Sequence, residues 1–264
     1  MTNRRVTWQL LALSGLMALG ALATRIAHAT DIHVMSSGGF TEAYKQLTPE
    51  FERSTAYKVL SSYGASMGGA PDSIPSRLSR GEPADVVILA APALDALIAA
   101  GMVRAGSRVD LVRSSIGMSV KAGAPKPDIS SMEAFKRTLL EAKSIAYSAS
   151  ASGTYFSTTM LKNLGMAEQV LPKTKRIVSE RVGTAVARGD AEIGLQQISE
   201  LLPLPGLDFL GPIPAEVQLI TIFSAGIATI SKSPEEAQQL IKYLSSAAVA
   251  PIIAKTGLEP IPTP

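Results

Sequence analysis

Ile32-His33-Val34-Met35-Ser36-Ser37-Gly38-Gly39-Phe40-Thr41-Glu42-Ala43-Tyr44 reads as a short apolar strand, a turn of small residues, and the start of a helix. The same order returns at Ser144-Ile145-Ala146-Tyr147-Ser148-Ala149-Ser150-Ala151-Ser152-Gly153-Thr154-Tyr155-Phe156. The first turn of a helix carries unpaired N–H groups and a partial positive charge. Glycine lets a ligand approach the backbone, and serine adds hydroxyl donors. Two such ends facing each other form an anion clamp that needs no buried lysine or arginine. Serine and glycine also cap helices without binding anything. One junction would say no more than that; two in one short chain favour a ligand site.

Outward from these junctions, strands and helices alternate. Strands are predicted over residues 58–62, 84–89, 116–120, 145–147, 175–178 and 193–195. Helices are predicted over 41–52, 92–100, 131–142, 153–164, 182–188 and 234–244, the last opened by Ser233 with Pro234 at its first position. The alternation implies an α/β fold whose mostly parallel sheets are covered on both faces. Residues 219–230 read as an extended run broken at Ser224-Ala225-Gly226, and the proline-rich tail from Glu259 to Pro264 reads as loose. There is no internal repeat and no low-complexity tract.

Residues 1–29 read as a cleaved export signal: Arg4 and Arg5, an apolar stretch from Leu10 to Ala23, then Ala27-His28-Ala29. Of the 25 Lys and Arg, three lie there with no acid, which leaves 22 basic against 22 acidic residues in the rest. Nothing global then argues for nucleic acid. The chain has no cysteine, which excludes disulfides, thiol catalysis and a lipid-anchored N-terminal cysteine. His33 is the sole histidine beyond residue 29, so a histidine-rich metal site is excluded too. No phosphate-binding loop motif appears, and a serine-hydrolase triad would leave one histidine to serve everything, so neither an ATPase nor a serine hydrolase is indicated.

The order of pieces resembles a known family: export signal, strand-SSGG-helix, Ser-rich loop, Pro83-Ala84-Asp85-Val86-Val87-Ile88, the second Ser/Gly junction, Glu180-Arg181-Val182-Gly183, then Gly194-Leu195-Gln196-Gln197. It is similar to the periplasmic molybdate-binding proteins and their wider group of ABC-type extracytoplasmic solute-binding proteins, of the type II periplasmic binding fold. The closest likeness is to the aconitate isomerase branch. That resemblance implies two similar α/β domains joined by two crossing strands, with the ligand cleft between them. It puts domain I at residues 30–113 plus 223–264 and domain II at 114–222. It implies a periplasmic monomer without cofactor or metal, and an ABC permease as partner if the chain serves transport. Position by position, Ser36 and Ser37 lie just before Gly39, where the family hydroxyl aligns. Ser66 matches a second serine site, Ser152 and Gly153 the backbone donors of domain II, and Val182 a further backbone donor. Gln197 stands where the family has a tyrosine. The Ser→Gly and Tyr→Gln departures, with a longer loop at Met67–Ser73, point to a larger anion than molybdate.

A polycarboxylate calls for a cation beside the dipoles. Arg181 is the best placed; Arg77 and Arg80 are the other candidates, with solvated surface arginine as the plain reading. The ligand-binding set is therefore Ser36, Ser37, Gly38, Gly39, Ser66, Ser152, Gly153, Arg181, Val182 and Gln197. Two functions compete. The first is a solute receptor that captures a small anion, a polycarboxylate or an oxyanion. The alternative is an isomerase that interconverts cis- and trans-aconitate by an allylic proton shift, which needs a base and an acid within reach of the substrate carbons. The candidates for that chemistry are His33, Tyr147 and Glu180, with Tyr63 and Glu200 also available; no spacing forces a choice. Asp85 reads as a buried partner for loop N–H groups.

Overall fold

The computed structural model describes residues 30–67 and 69–261. The expected export signal lies outside the described residues. Eleven strands are described: β1 (Thr30–Ser36), β2 (Tyr57–Tyr63), β3 (Val86–Ala90), β4 (Val109–Ser114), β5 (Ile116–Lys121), β6 (Ile145–Ser148), β7 (Thr174–Ile177), β8 (Ile193–Gln197), β9 (Leu207–Pro212), β10 (Thr221–Ile227) and β11 (Glu259–Pro260). They form two sheets, in the orders β11-β4-β10-β3-β1-β2 and β7-β6-β8-β5-β9. Both sheets are mixed. The pairs β1–β2, β1–β3, β6–β7 and β6–β8 are parallel, whereas the pairings of β10, β4 and β5 are antiparallel. The antiparallel strands flank the places where the chain passes from one sheet to the other.

Each sheet carries its own core. On the first, Phe40, Tyr44, Leu47 and Phe51 recur at helical spacing on the helix Gly38–Ser54 and pack on β1 and β3 beside the helix Pro234–Leu244. β3 is buried along its whole length, as a central strand covered on both faces must be. Phe135 and Leu139 of the helix Met132–Glu141 lie over β5, β6 and β8 in the second core. Asp85, at the entry to β3, accepts the N–H groups of His33 at 2.7 Å, Lys232 at 2.9 Å and Ser233 at 3.1 Å, and the Ser231 hydroxyl at 2.7 Å. Burial pushes its pKa up, but these donors outweigh it and hold the carboxyl below its ordinary value.

Three local expectations change. Within the run 219–230 the strand β10 spans Thr221–Ile227 and continues through Ser224-Ala225-Gly226, though its register against β4 shifts between Phe223 and Ser224; a Cβ on Gly226 would lie 2.8 Å from Val103 and 3.1 Å from Leu94 of the helix Ala91–Ala99. The tail is not loose up to residue 261: β11 pairs with β4, and the Ile261 N–H donates to Leu111 O at 2.8 Å. The helix after the second junction is irregular, Ala151–Tyr155 running through a π turn at Phe156–Met160 into Leu161–Asn163, which lets Phe156, Met160 and Leu161 all face the core. The strands β9, at a sheet edge, and β4, between β11 and β10, carry no alternating apolar pattern: β9 is only partly buried, and β4 holds Asp110 and Arg113. The chain passes between the sheets at Ser115 and again over residues 213–220. We propose that the two domains divide at these passages.

Candidate functional site

The carboxyl ends of β1, β6 and β8 face one another across a cavity of about 310 Å³, the place where open α/β sheets bind ligands. Ser37, Gly38 and Gly39 line it from the first sheet, Ser148 to Ser152 and Ser179 to Arg181 from the second, and Gln196, Gln197, Glu200 and Phe223 form its floor and back. Both Ser/Gly junctions therefore reach one site.

At the first junction Ser37 is the residue before the helix Gly38–Ser54, yet its side chain makes no cap bond. Its hydroxyl is buried and has no hydrogen-bond partner. A buried donor left unpaired is costly, about 1–3 kcal/mol, and the residue that carries it lines the cavity. Gly39 is close-packed against a ring, and a side chain at Gly38 would displace the Glu200 carboxyl. A Cβ on Gly38 would lie 1.9 Å from Glu200 Oε1, and one on Gly39 would lie 2.1 Å from the Phe223 ring. Ser36 stands behind, fully buried, outside the cavity lining.

At the second junction the Ser152 and Ser148 hydroxyls lie 3.2 Å apart. Gly153 serves packing: a Cβ there would meet Ser148 O at 1.8 Å. Ser66 is fully buried away from the lining; its hydroxyl accepts from the Ala90 N–H at 3.0 Å, while its own N–H donates to Ser150 Oγ at 3.3 Å, across the cleft.

Glu200 is the charged group most altered by this site. Its Oε1 accepts from Gln196 Nε2 at 2.8 Å. Burial pushes its pKa up to about 7, against the opposing pull of Arg181 and of the Gln196 bond. Gln196 in turn accepts the Val182 N–H at 2.8 Å, so that backbone donor is committed within the protein. Arg181 bridges the cleft to Glu42 at 2.5 Å. Ser179 bridges it to Asp72 at 2.9 Å and is the one non-glycine described residue with positive φ, at 61°. Gln197 lines the cavity, but both ends of its amide are used: Oε1 accepts from Ser114 Oγ at 2.8 Å and Nε2 donates to Thr221 Oγ1 at 3.0 Å. It thus ties the end of β4 to the start of β10, at the two passages between sheets.

The other acid–base candidates sit differently. His33 lies on β1 outside the cavity lining, its N–H given to Asp85. Tyr147 packs its ring 5.5 Å from that of Phe156 against the second core. Glu180 reaches the cavity rim, but Arg188 pairs with its carboxylate at 2.9 Å and holds its pKa below the ordinary value. Tyr63 is half-exposed at the mouth, with Lys45 5.3 Å from its ring centre. Arg77 and Arg80 both pair with Glu82, outside the lining. No cluster of three or more acidic or histidine side chains among the described residues suits a metal ion. Lys45 and Phe223 line the site without having been marked by any motif; each sits on an element whose local pattern is that of an ordinary amphipathic helix or strand.

A family model described as bacterial extracellular solute-binding protein matches residues 32–259. A protein named aconitate isomerase, from a Pseudomonas species, is 44% identical over 252 residues, covering 93% of this chain and 96% of that one. The molybdate-binding protein ModA of Azotobacter vinelandii is 27% identical over 258 residues, covering 91% and 95%. The solved structure of the periplasmic molybdate-binding protein from the same organism superposes with a TM-score of 0.69 at 18% identity, over 88% of this chain and all of that one. With a two-domain fold, a cleft site and a family match along nearly the whole described length, the chain belongs to the bacterial extracellular solute-binding proteins.

Proposed function

We propose that this chain closes its two domains around a small polycarboxylate and isomerises it, as an aconitate isomerase acting in the periplasm. One observation carries the reading: the Glu200 carboxyl lines the cavity beside Gly38 of the first junction, where burial pushes its pKa up to about 7. A base poised near the working pH accepts a carbon-bound proton better than an ordinary carboxylate does, and returns it as readily. The full-length likeness to a protein named aconitate isomerase supports the same choice.

In this reading the Glu200 carboxylate takes a proton from the substrate methylene. The C–H electron pair forms a new double bond to the central carbon, and the old double bond's electrons take the proton back at the far carbon. Atoms and electrons balance with no other reactant. Negative charge spreads onto the substrate carboxylates between the two steps, and the N–H groups at Gly38 and Gly39, the Ser37 hydroxyl and Arg181 are the donors placed to stabilise it.

The test is proton NMR of trans-aconitate with the protein in D₂O. The expected result is cis-aconitate, with deuterium entering at the exchanging carbons. Glu200→Gln should slow it by about 10²–10⁴-fold, the usual contribution of a positioned acid–base group. A second reading keeps the anion and drops the chemistry: a receptor delivering a tricarboxylate to an ABC permease. It is favoured by the bonds that already span the cleft, since closure over a ligand is how such receptors work. Broadened substrate lines without product would select it, and unchanged spectra would overturn both.

A further inference from the structure

We infer that Gln196 is a positioning residue for Glu200, fixing which carboxyl oxygen exchanges the proton. The inference rests on the isomerase reading for its chemistry, but on geometry for its substance. The Val182 N–H can only donate, and it lies 2.8 Å from the Gln196 side chain. Gln196 must therefore present its amide oxygen there, and its NH₂ group is turned by necessity toward Glu200, 2.8 Å away. The amide has no second orientation that satisfies both partners. Gln196 is itself buried, at 3% exposure.

The consequence falls on the two oxygens of Glu200. Oε1 takes the Gln196 bond and is also the oxygen nearest Gly38. A proton on Oε1 would face the NH₂ donor and forfeit that bond. Oε2 receives no hydrogen bond among the described residues. The proton therefore resides on Oε2, which is the oxygen left to reach a substrate carbon. The donor also favours the ionised form, opposing the burial that disfavours it. The charged groups around the carboxyl are Arg181 from the loop before helix Val182–Arg188, its partner Glu42 on the helix Gly38–Ser54, and, farther out on the cavity rim, Lys45, Asp72 and Glu180.

Gln196→Glu still accepts the Val182 N–H but sets a second carboxylate against Glu200, so its rise carries a like-charge contribution as well as the lost bond. Gln196→Met removes both bonds at similar size. The measurement is the titration of Glu200 by carbon NMR on protein labelled at the glutamate carboxyl, its signal assigned by loss in Glu200→Gln. Both variants should move the Glu200 midpoint upward, by about one pH unit or more. The acidic limb of kcat/KM for trans-aconitate should move with it. A midpoint that stays within a few tenths of the parent in a folded variant overturns the inference. If the midpoint moves but the parent never turns over aconitate, the positioning role stands and the isomerase reading falls.

Discussion

Glu200 makes the sharpest residue-scale prediction because its environment sets the sign of a pH effect. Below pH 4.5, its ordinary pKa, the carboxyl is protonated both folded and unfolded, and costs nothing. Between 4.5 and about 7 the unfolded chain ionises while the folded one resists. Stability from this group is therefore lost as pH rises through that window, by about 3 kcal/mol at the top of it. Ligand-free Glu200→Gln should match the parent near pH 4 and exceed it by about 2–3 kcal/mol near pH 8 in urea unfolding; a constant difference at every pH would refute the assignment. Glu200 was visible in the sequence only as one of several available acids. Its raised pKa comes from burial, which outweighs the opposing pull of Arg181, and no local spacing encodes that burial.

At the scale of elements, the two strand-turn-helix junctions were legible because small residues between an apolar strand and an amphipathic helix admit few conformations. Their division of labour was not. Ser37 is an unpaired hydroxyl in the cavity, Ser66 a bolt across the loops, and Gly153 a packing contact, although all three look alike as sequence. Ser37→Ala removes a buried hydroxyl that satisfies nothing in the ligand-free protein, so stability should hold or rise slightly while affinity for trans-aconitate falls about tenfold, the worth of one good hydrogen bond. Calorimetric titration beside thermal unfolding checks both halves, and unchanged affinity would remove Ser37 from the site. The strands β4 and β9 escaped notice because a partly solvated strand need not show a continuous apolar run.

For the whole molecule, the alternation of strands and helices was enough to give an α/β chain, and the order of motifs gave its two-sheet plan. The bonds that hold the halves together were beyond reach, because each joins residues from separate parts of the chain: Glu42 to Arg181, Asp72 to Ser179, Gly39 O to the Ser199 hydroxyl at 2.8 Å. The Glu42 and Arg181 side chains are only 19% and 22% exposed, so this pair should exceed the near-zero worth of a surface ion pair. A double-mutant cycle with Glu42→Gln and Arg181→Met, read as ligand affinity, should give a coupling of about 1–2 kcal/mol. A coupling indistinguishable from zero would mean that the bridge does not contribute to closure. Gly38 and Glu200 carry a last consequence, since they belong to opposite halves yet compete for one space. What position 38 tolerates is decided by what occupies position 200. The two should covary across relatives, and a chimera joining the first sheet of one relative to the second sheet of another should function only when it inherits a matched pair. In a library randomised at both positions and selected for ligand capture, side chains larger than glycine at 38 should survive only beside short residues at 200.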